Sequence, residues 1–249
     1  MKILAIANQK GGVGKSTLAV HLAWMAMEQG LRTLLVDLDG QANSTHTFVE
    51  QAEGVSSSQL FGPPPTDKPH QVSELLALVP ADIGTNDLEG LPLDTIQYPA
   101  RYLRQLNGEY DLCIIDTPPN LGRRLLAALI VADAVVSPMA INGYSIEGIS
   151  DLQRSIIAVK RKYNPRLRNL GILPNLLNHR SKSQTKNLAE LRKALGDRVL
   201  PFELTNRVAV SDAIDAGHPV WRKAKGQSSR KAGKEMKAVV KKIIREVMK

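Results

Sequence analysis

The chain of 249 residues holds one cysteine, Cys113. A lone thiol excludes an intramolecular disulfide and any thiolate metal cluster within one chain, and it points to a reducing cytoplasm. Long apolar runs are also missing. The best candidate, Leu125–Ile141, is broken by Asp133 and Pro138, so no membrane-spanning helix is expected. Met1–Asn8 is too short for the apolar region and cleavage site of a secretory leader. The five histidines (His21, His46, His70, His179 and His218) include no i, i+4 pair, so a helical metal motif is absent. What remains is ordinary for a globular chain: 43% hydrophobic and 23% charged residues, ample for a core and against general disorder.

Charge is distributed unevenly. Lys and Arg number 33 against 24 Asp and Glu, a net +9. All of that excess lies between Arg222 and Lys249, where eleven basic residues accompany two acidic ones. The basicity therefore belongs to the tail. It points to a polyanionic partner, nucleic acid or an anionic membrane surface, with a merely solvated terminal helix as the plainer alternative.

Short aliphatic runs at Ile3–Asn8, Thr33–Asp37, Leu112–Asp116, Ala134–Pro138, Leu170–Pro174 and Val199–Leu204 read as buried strands, with Leu75–Val79 as a further one. Stretches with helical spacing lie between several of them, among them Ser16–Gln29 and Ser145–Lys162. This alternation predicts an α/β fold: a mostly parallel twisted sheet with helices on both faces. Gly62–Pro69 reads as a surface loop. No repeat or boundary precedes residue 222, which gives a body of 1–221 and a basic segment of 222–249. Arg222–Lys234 is polar and rich in Gly and Ser, and reads as a connector or mobile arm. Beyond it Met236, Val239, Val240, Ile243, Ile244 and Val247 form one apolar stripe of an amphipathic helix with a lysine-rich back.

The first strand leads directly into Lys10-Gly11-Gly12-Val13-Gly14-Lys15-Ser16-Thr17, which opens a helix. Glycines let backbone N–H groups converge on phosphate oxygens, and a helix N-terminus adds partial positive charge. Lys15 is placed for the β- and γ-phosphates and the Ser16 hydroxyl for Mg²⁺. The loop is a variant, because Gln9 stands where the plain pattern has its first glycine. Asp37 and Asp39 follow the second strand, and Asp116 ends the strand Leu112–Asp116. In a parallel sheet all three reach the edge that carries the glycine loop. One carboxylate there can hold Mg²⁺ through water and another can orient the attacking water. For Asp37, capping of the next helix is an equally good reading.

The variant loop, the segment Asp37-Leu38-Asp39-Gly40-Gln41-Ala42-Asn43 and the segment Ile114-Ile115-Asp116-Thr117-Pro118-Pro119-Asn120 resemble the ParA/MinD family of P-loop ATPases, plasmid-partition ParA proteins above all. The likeness runs from residue 2 to about 221 and includes Ser145-Ile146-Glu147-Gly148 and Gly217-His218-Pro219-Val220. It implies a P-loop ATPase that uses ATP and Mg²⁺. Lys10 would reach across an ATP-sandwich homodimer to the partner's nucleotide, Lys15 would serve its own, and Asp39 would position water. Nucleotide contacts are implied for Lys10, Gly11, Gly12, Val13, Gly14, Lys15, Ser16 and Thr17. Metal contacts fall to Ser16, Asp116 and Asp39, and adenine would lie near Asn175 and Thr205. Gly40 departs from the family's usual proline, which predicts a looser switch segment. The first strand opens at Ile3, so no N-terminal helix-turn-helix, and no operator-specific repression, is expected.

The family's partition members bind nucleoid DNA non-specifically as ATP dimers, and a ParB-type centromere-binding partner stimulates hydrolysis and release. Here Lys223, Lys225, Arg230, Lys231 and Lys234 are the candidate DNA contacts. The alternative is a MinD-like ATPase whose terminal helix binds an anionic membrane. The stripe of Met, Val and Ile without Phe, Trp or Leu suits packing better than lipid insertion, which favours DNA and no membrane. An iron–sulfur carrier of the same superfamily would need paired cysteines. The run Lys160-Arg161-Lys162 with Arg166 and Arg168 serves a helix dipole or a supplementary DNA contact equally well.

Overall fold

The computed structural model describes residues 1–141 and 145–249, with side chains from 145 to 149 set aside. Strands are β1 (Lys2–Ile6), β2 (Thr33–Asp37), β3 (His70–Ser73), β4 (Leu76–Val79), β5 (Leu112–Asp116), β6 (Ala134–Ala140) and β7 (Arg168–Asn175). Helices are α1 (Lys15–Glu28), α2 (Asn43–Phe48), α3 (Tyr98–Gln105), α4 (Arg123–Val131), α5 (Ser145–Lys162), α6 (Lys182–Leu195), α7 (Val208–Asp215) and α8 (Gly226–Met248). Ser145-Ile146-Glu147-Gly148 opens α5, and its side chains lie outside the described residues.

Among the described residues one seven-stranded sheet forms in the order β3-β4-β2-β5-β1-β6-β7, parallel except for the edge strand β3. The period-two geometry of a strand divides its side chains between two cores. Ile3 and Ala5 of β1 face Leu125, Leu129, Leu152 and Ile156 from α4 and α5. Leu4 and Ile6 face the opposite layer, built from Leu18 and Leu22 of α1 and Val240 and Ile244 of α8. Helices thus cover both faces, as the alternating pattern predicts. Cys113 is a fully buried core residue of β5.

Three local expectations fail. Val199–Leu204 is not a strand. It meets β7 through an isolated bridge at Val199 and through the Leu200 and Leu204 N–H groups, which donate to the Ile172 and Pro174 carbonyls, while Pro201 lacks the N–H that a continuous ladder needs. The short edge strand β3 follows the proline loop where no strand is expected. Arg222–Lys234 is not a mobile arm, since α8 already begins at Gly226. Ala232 and Gly233 are buried, and a Cβ on Gly233 would come within 2.8 Å of the Trp221 Cα. Close approach of two backbones therefore replaces the missing apolar side chains. Further along, all six residues of the predicted stripe are buried. Each contributes about 1.5–3 kcal/mol, which outweighs the roughly 1 kcal/mol that a helical glycine costs.

Candidate phosphate-binding site

Register places the site before any side chain is considered. Ile6 pairs with Asp116 and Asp37 pairs with Asp116, so β1, β2 and β5 end level at one edge of the sheet. The chain leaves β1 there through Lys10–Gly14, and α1 starts at Lys15. Gly14 caps α1 with φ +84°, a left-handed geometry that favours glycine. Its Cα also lies against the Asn175 amide, where no Cβ would fit. Asn175, 5% exposed at the end of β7, donates from Nδ2 to the Val13 carbonyl at 2.8 Å and so braces the loop. The loop borders a cleft of about 600 Å³ also lined by Ser16, Thr17, Asp39 and Pro119.

Lys15 is 6% exposed, and its Nζ donates to the Lys10 carbonyl at 3.2 Å. Burial lowers its pKa, while the Asp116 and Asp39 carboxylates pull it back up. The ammonium is thus held on the loop by the Lys10 carbonyl, with the charges of Asp116 and Asp39 nearby. Lys10 is half-buried, and its N–H donates to Asn8 Oδ1 at 3.0 Å.

Asp116 is fully buried. Oδ2 accepts from the Ser44 hydroxyl at 2.7 Å, and the Ser16 hydroxyl also bonds this carboxylate. Burial pushes its pKa upward. Among the described residues nothing donates to Asp116 Oδ1, although it is buried. An orphaned carboxylate oxygen beside a serine hydroxyl fits Mg²⁺, which keeps several waters and takes few protein ligands. No cluster of three His, Cys, Asp or Glu exists among the described residues, and such a site needs none.

Asp37 resolves in favour of capping. Its Oδ2 accepts from the N–H and hydroxyl of Thr45 in the first turn of α2, at 2.9 and 2.8 Å. Its Oδ1 accepts from the Asp39 N–H at 3.1 Å. Burial, then the charge of Asp116, raises its pKa. Asp39, 8% exposed, lines the cleft and accepts from the Gln41 N–H at 3.1 Å.

A side pocket of about 210 Å³ adjoins the cleft and is lined by Asn175 and Thr205, both expected near a base. Thr205 participates through its backbone, whose N–H donates to Glu235 Oε2 of α8 at 3.3 Å. Sequence reasoning missed Glu235 and Arg207, which pair at 3.0 Å on the same wall. Lys223, Lys225, Arg230, Lys231 and Lys234 are all exposed, on the turn before α8 and on its first turns. Lys160, Arg161, Lys162 and Arg166 are exposed too. Arg168 is not a free surface cation. It donates to the Glu246 and Val247 carbonyls at 2.8 and 2.9 Å, closing the C-terminal end of α8.

A glycine loop between β1 and α1, a buried lysine and two carboxylates at one sheet edge define a P-loop nucleotide-binding protein. Residues 1–169 match the AAA-domain family AAA_31. The chain is 37% identical to Protein IncC of Escherichia coli, over 96% of this chain and 68% of IncC. It is 36% identical to the chromosome-partitioning ATPase Soj of Thermus thermophilus, over 89% of this chain and 88% of Soj. A solved cobyrinic acid a,c-diamide synthase of Mycobacterium smegmatis, with ATP analog and magnesium bound, is similar at TM-score 0.82 and 28% identity, covering 98% of this chain and 94% of that one. The chain belongs to the ParA/MinD family of P-loop ATPases.

Proposed function

We infer that this protein is a DNA-partition ATPase that hydrolyses ATP to ADP and phosphate in an ATP-sandwich homodimer. The observation that carries the reading is the level ending of β1, β2 and β5, which gathers Lys15, Ser16 and Asp39 around one cleft, with Asp116 buried against the Ser16 hydroxyl. Backbone N–H groups of Gly11–Gly14 and the α1 N-terminus cradle the phosphates. Thr17 extends that cradle into the first turn of α1. Lys15 leaves the Lys10 carbonyl for the β- and γ-phosphates, and Lys10 supplies charge to the nucleotide of the partner subunit. Asp39 orients the attacking water, while Asn175 and Thr205 border the base. Ser16 and Asp116, with Asp39 nearby, would hold Mg²⁺, which when bound neutralises charge on the phosphate oxygens. Little covalent work is asked of the protein, so positioning and electrostatics carry the rate.

The ATP dimer binds nucleoid DNA non-specifically through Lys223, Lys225, Arg230, Lys231 and Lys234, in the cytoplasm. A ParB-type centromere-binding protein stimulates hydrolysis and releases it. Burial of the apolar stripe of α8 supports DNA over the MinD-like membrane reading, because a stripe packed on α1 and β1 is not offered to lipid. Among the described residues no helix is long and apolar enough to cross a membrane. Pelleting with plasmid DNA and with anionic liposomes, each with ATP, ADP or no nucleotide, tests the reading. ATP-dependent pelleting with DNA alone is expected, and pelleting with liposomes alone would replace it by the membrane reading.

A further inference from the structure

Arg124 sits in the first turn of α4, buried with 6% exposure. Its Nε donates to Glu89 Oε1 at 3.0 Å and its Nη1 to the Leu38 carbonyl at 3.1 Å. Glu89 is itself fixed. Its Oε2 accepts from the Arg123 N–H at 2.6 Å, and its carboxylate lies against the Gly122 Cα, where no side chain would fit. A buried guanidinium is costly unless paired, so a solvated role for Arg124 is ruled out. Leu38 immediately precedes Asp39. On the other side of the same turn, the Asn86 amide fills the space that a side chain at Gly40 would need. Glu89 and Asn86 both belong to the 3-10 turn Ile83–Gly90. That turn therefore grips both neighbours of Asp39, one through Arg124 and one directly. Among the described residues lining the cleft, Arg124 does not figure.

We propose that Arg124, anchored by Glu89, is a positioning residue for hydrolysis: by holding the Leu38 carbonyl it aims the Asp39 carboxylate without touching the nucleotide. The inference rests on the role given to Asp39 above. Small displacements of a positioned group are enough to matter, since about 1 Å can cost roughly a hundredfold. It also answers the departure at Gly40. The segment that lost a proline is held from outside, with Asn86 packed against Gly40 and Arg124 bonded to the Leu38 carbonyl.

The test is steady-state ATP turnover and calorimetric ATP affinity for Arg124→Ala, Arg124→Lys and Glu89→Gln, each with and without Asp39→Ala. Arg124→Ala is expected to lower kcat about tenfold while ATP affinity stays within about twofold. Glu89→Gln keeps the shape without the charge and gives a smaller loss. Arg124→Lys falls between, because an ammonium cannot fork to two acceptors. In the Asp39→Ala background none of the three lowers turnover further. Should Arg124→Ala fail to fold, the other two variants carry the same comparison. Parental turnover in all folded variants would overturn the inference, as would equal losses with and without Asp39. Parental turnover in Asp39→Ala alone removes the reading beneath the inference, and the inference with it.

Discussion

Lys15 and Asp39 share a cleft, and the proposed function gives them different stages, which substitution separates. Lys15 supplies a buried ammonium whose Nζ donates to the Lys10 carbonyl. Exchanging that carbonyl for phosphate oxygens is what binding gains. Lys15→Ala is therefore expected to weaken ATP binding by about 3 kcal/mol or more, over a hundredfold, in calorimetry. In the proposed function Asp39 instead meets water, whose charge changes only in the transition state. Asp39→Ala is expected to bind ATP normally while turnover falls by about a hundredfold, measured as phosphate release. Normal turnover would make Asp39 a structural carboxylate, like Asp37. At this scale the sequence is informative where chemistry forces residue type. The glycines, Lys15 and Asp116 are legible because a phosphate cradle and a strand-end carboxylate admit few substitutes. Arg124 is not, since an arginine in the first turn of a helix reads as solvated until the fold closes Glu89 over it.

Helix α1 carries a second device, in which His21 joins the phosphate-loop helix to the chain leading into α8. Its Nδ1 lies 2.7 Å from the Thr17 carbonyl, and its Nε2 accepts from the Val220 N–H at 3.3 Å. One nitrogen must donate and the other accept, which fixes the neutral ring. Trp24 and Trp221 pack against it at ring-centre separations of 5.1 and 5.6 Å. Burial pushes its pKa down to about 4. The unfolded chain takes up this proton near pH 6.5, so between about pH 6.5 and 4 the unfolded state holds more protons. Stability from His21 is thus present above that window and lost as pH falls through it, by about 3 kcal/mol at full extent. The raised carboxyls of Asp37 and Asp116 act in the opposite sense, but they are common to wild type and a His21 variant. Urea unfolding at pH 7.5 and 4.5 should therefore show His21→Gln losing less stability on acidification than wild type. Element boundaries repeat the lesson of legibility. Apolar runs announce β1, β2, β5 and β6, whereas the first turns of α8 offer only Gly, Ser and Lys. Their packing depends on small residues meeting Trp221, which no periodicity reveals.

For the whole molecule, charge is separated from chemistry. The body, neutral in sum, holds the cleft, and a cluster of exposed cations lies on the turn before α8 and its first turns. If four to six of them engage phosphates, log affinity for DNA should fall with log salt at a slope of about −4 to −5 per subunit. Replacing Lys223, Lys225, Arg230, Lys231 and Lys234 together by Gln should flatten that slope and weaken all sequences alike, while ATP turnover without DNA stays near parental. An unchanged slope would transfer the contact to the exposed run Lys160–Arg166.

The position of α8 also bears on the life history of the chain. Leu4, Ile6, Leu18 and Leu22 share one core with Val240, Ile244 and Val247, which lie far later in the chain. During translation α1 reaches that face first, and the core stays incomplete until α8 has also left the ribosome. Completion of that core is thereby deferred until α8 has emerged. A nascent chain can carry an intact glycine loop and still lack the core that holds it.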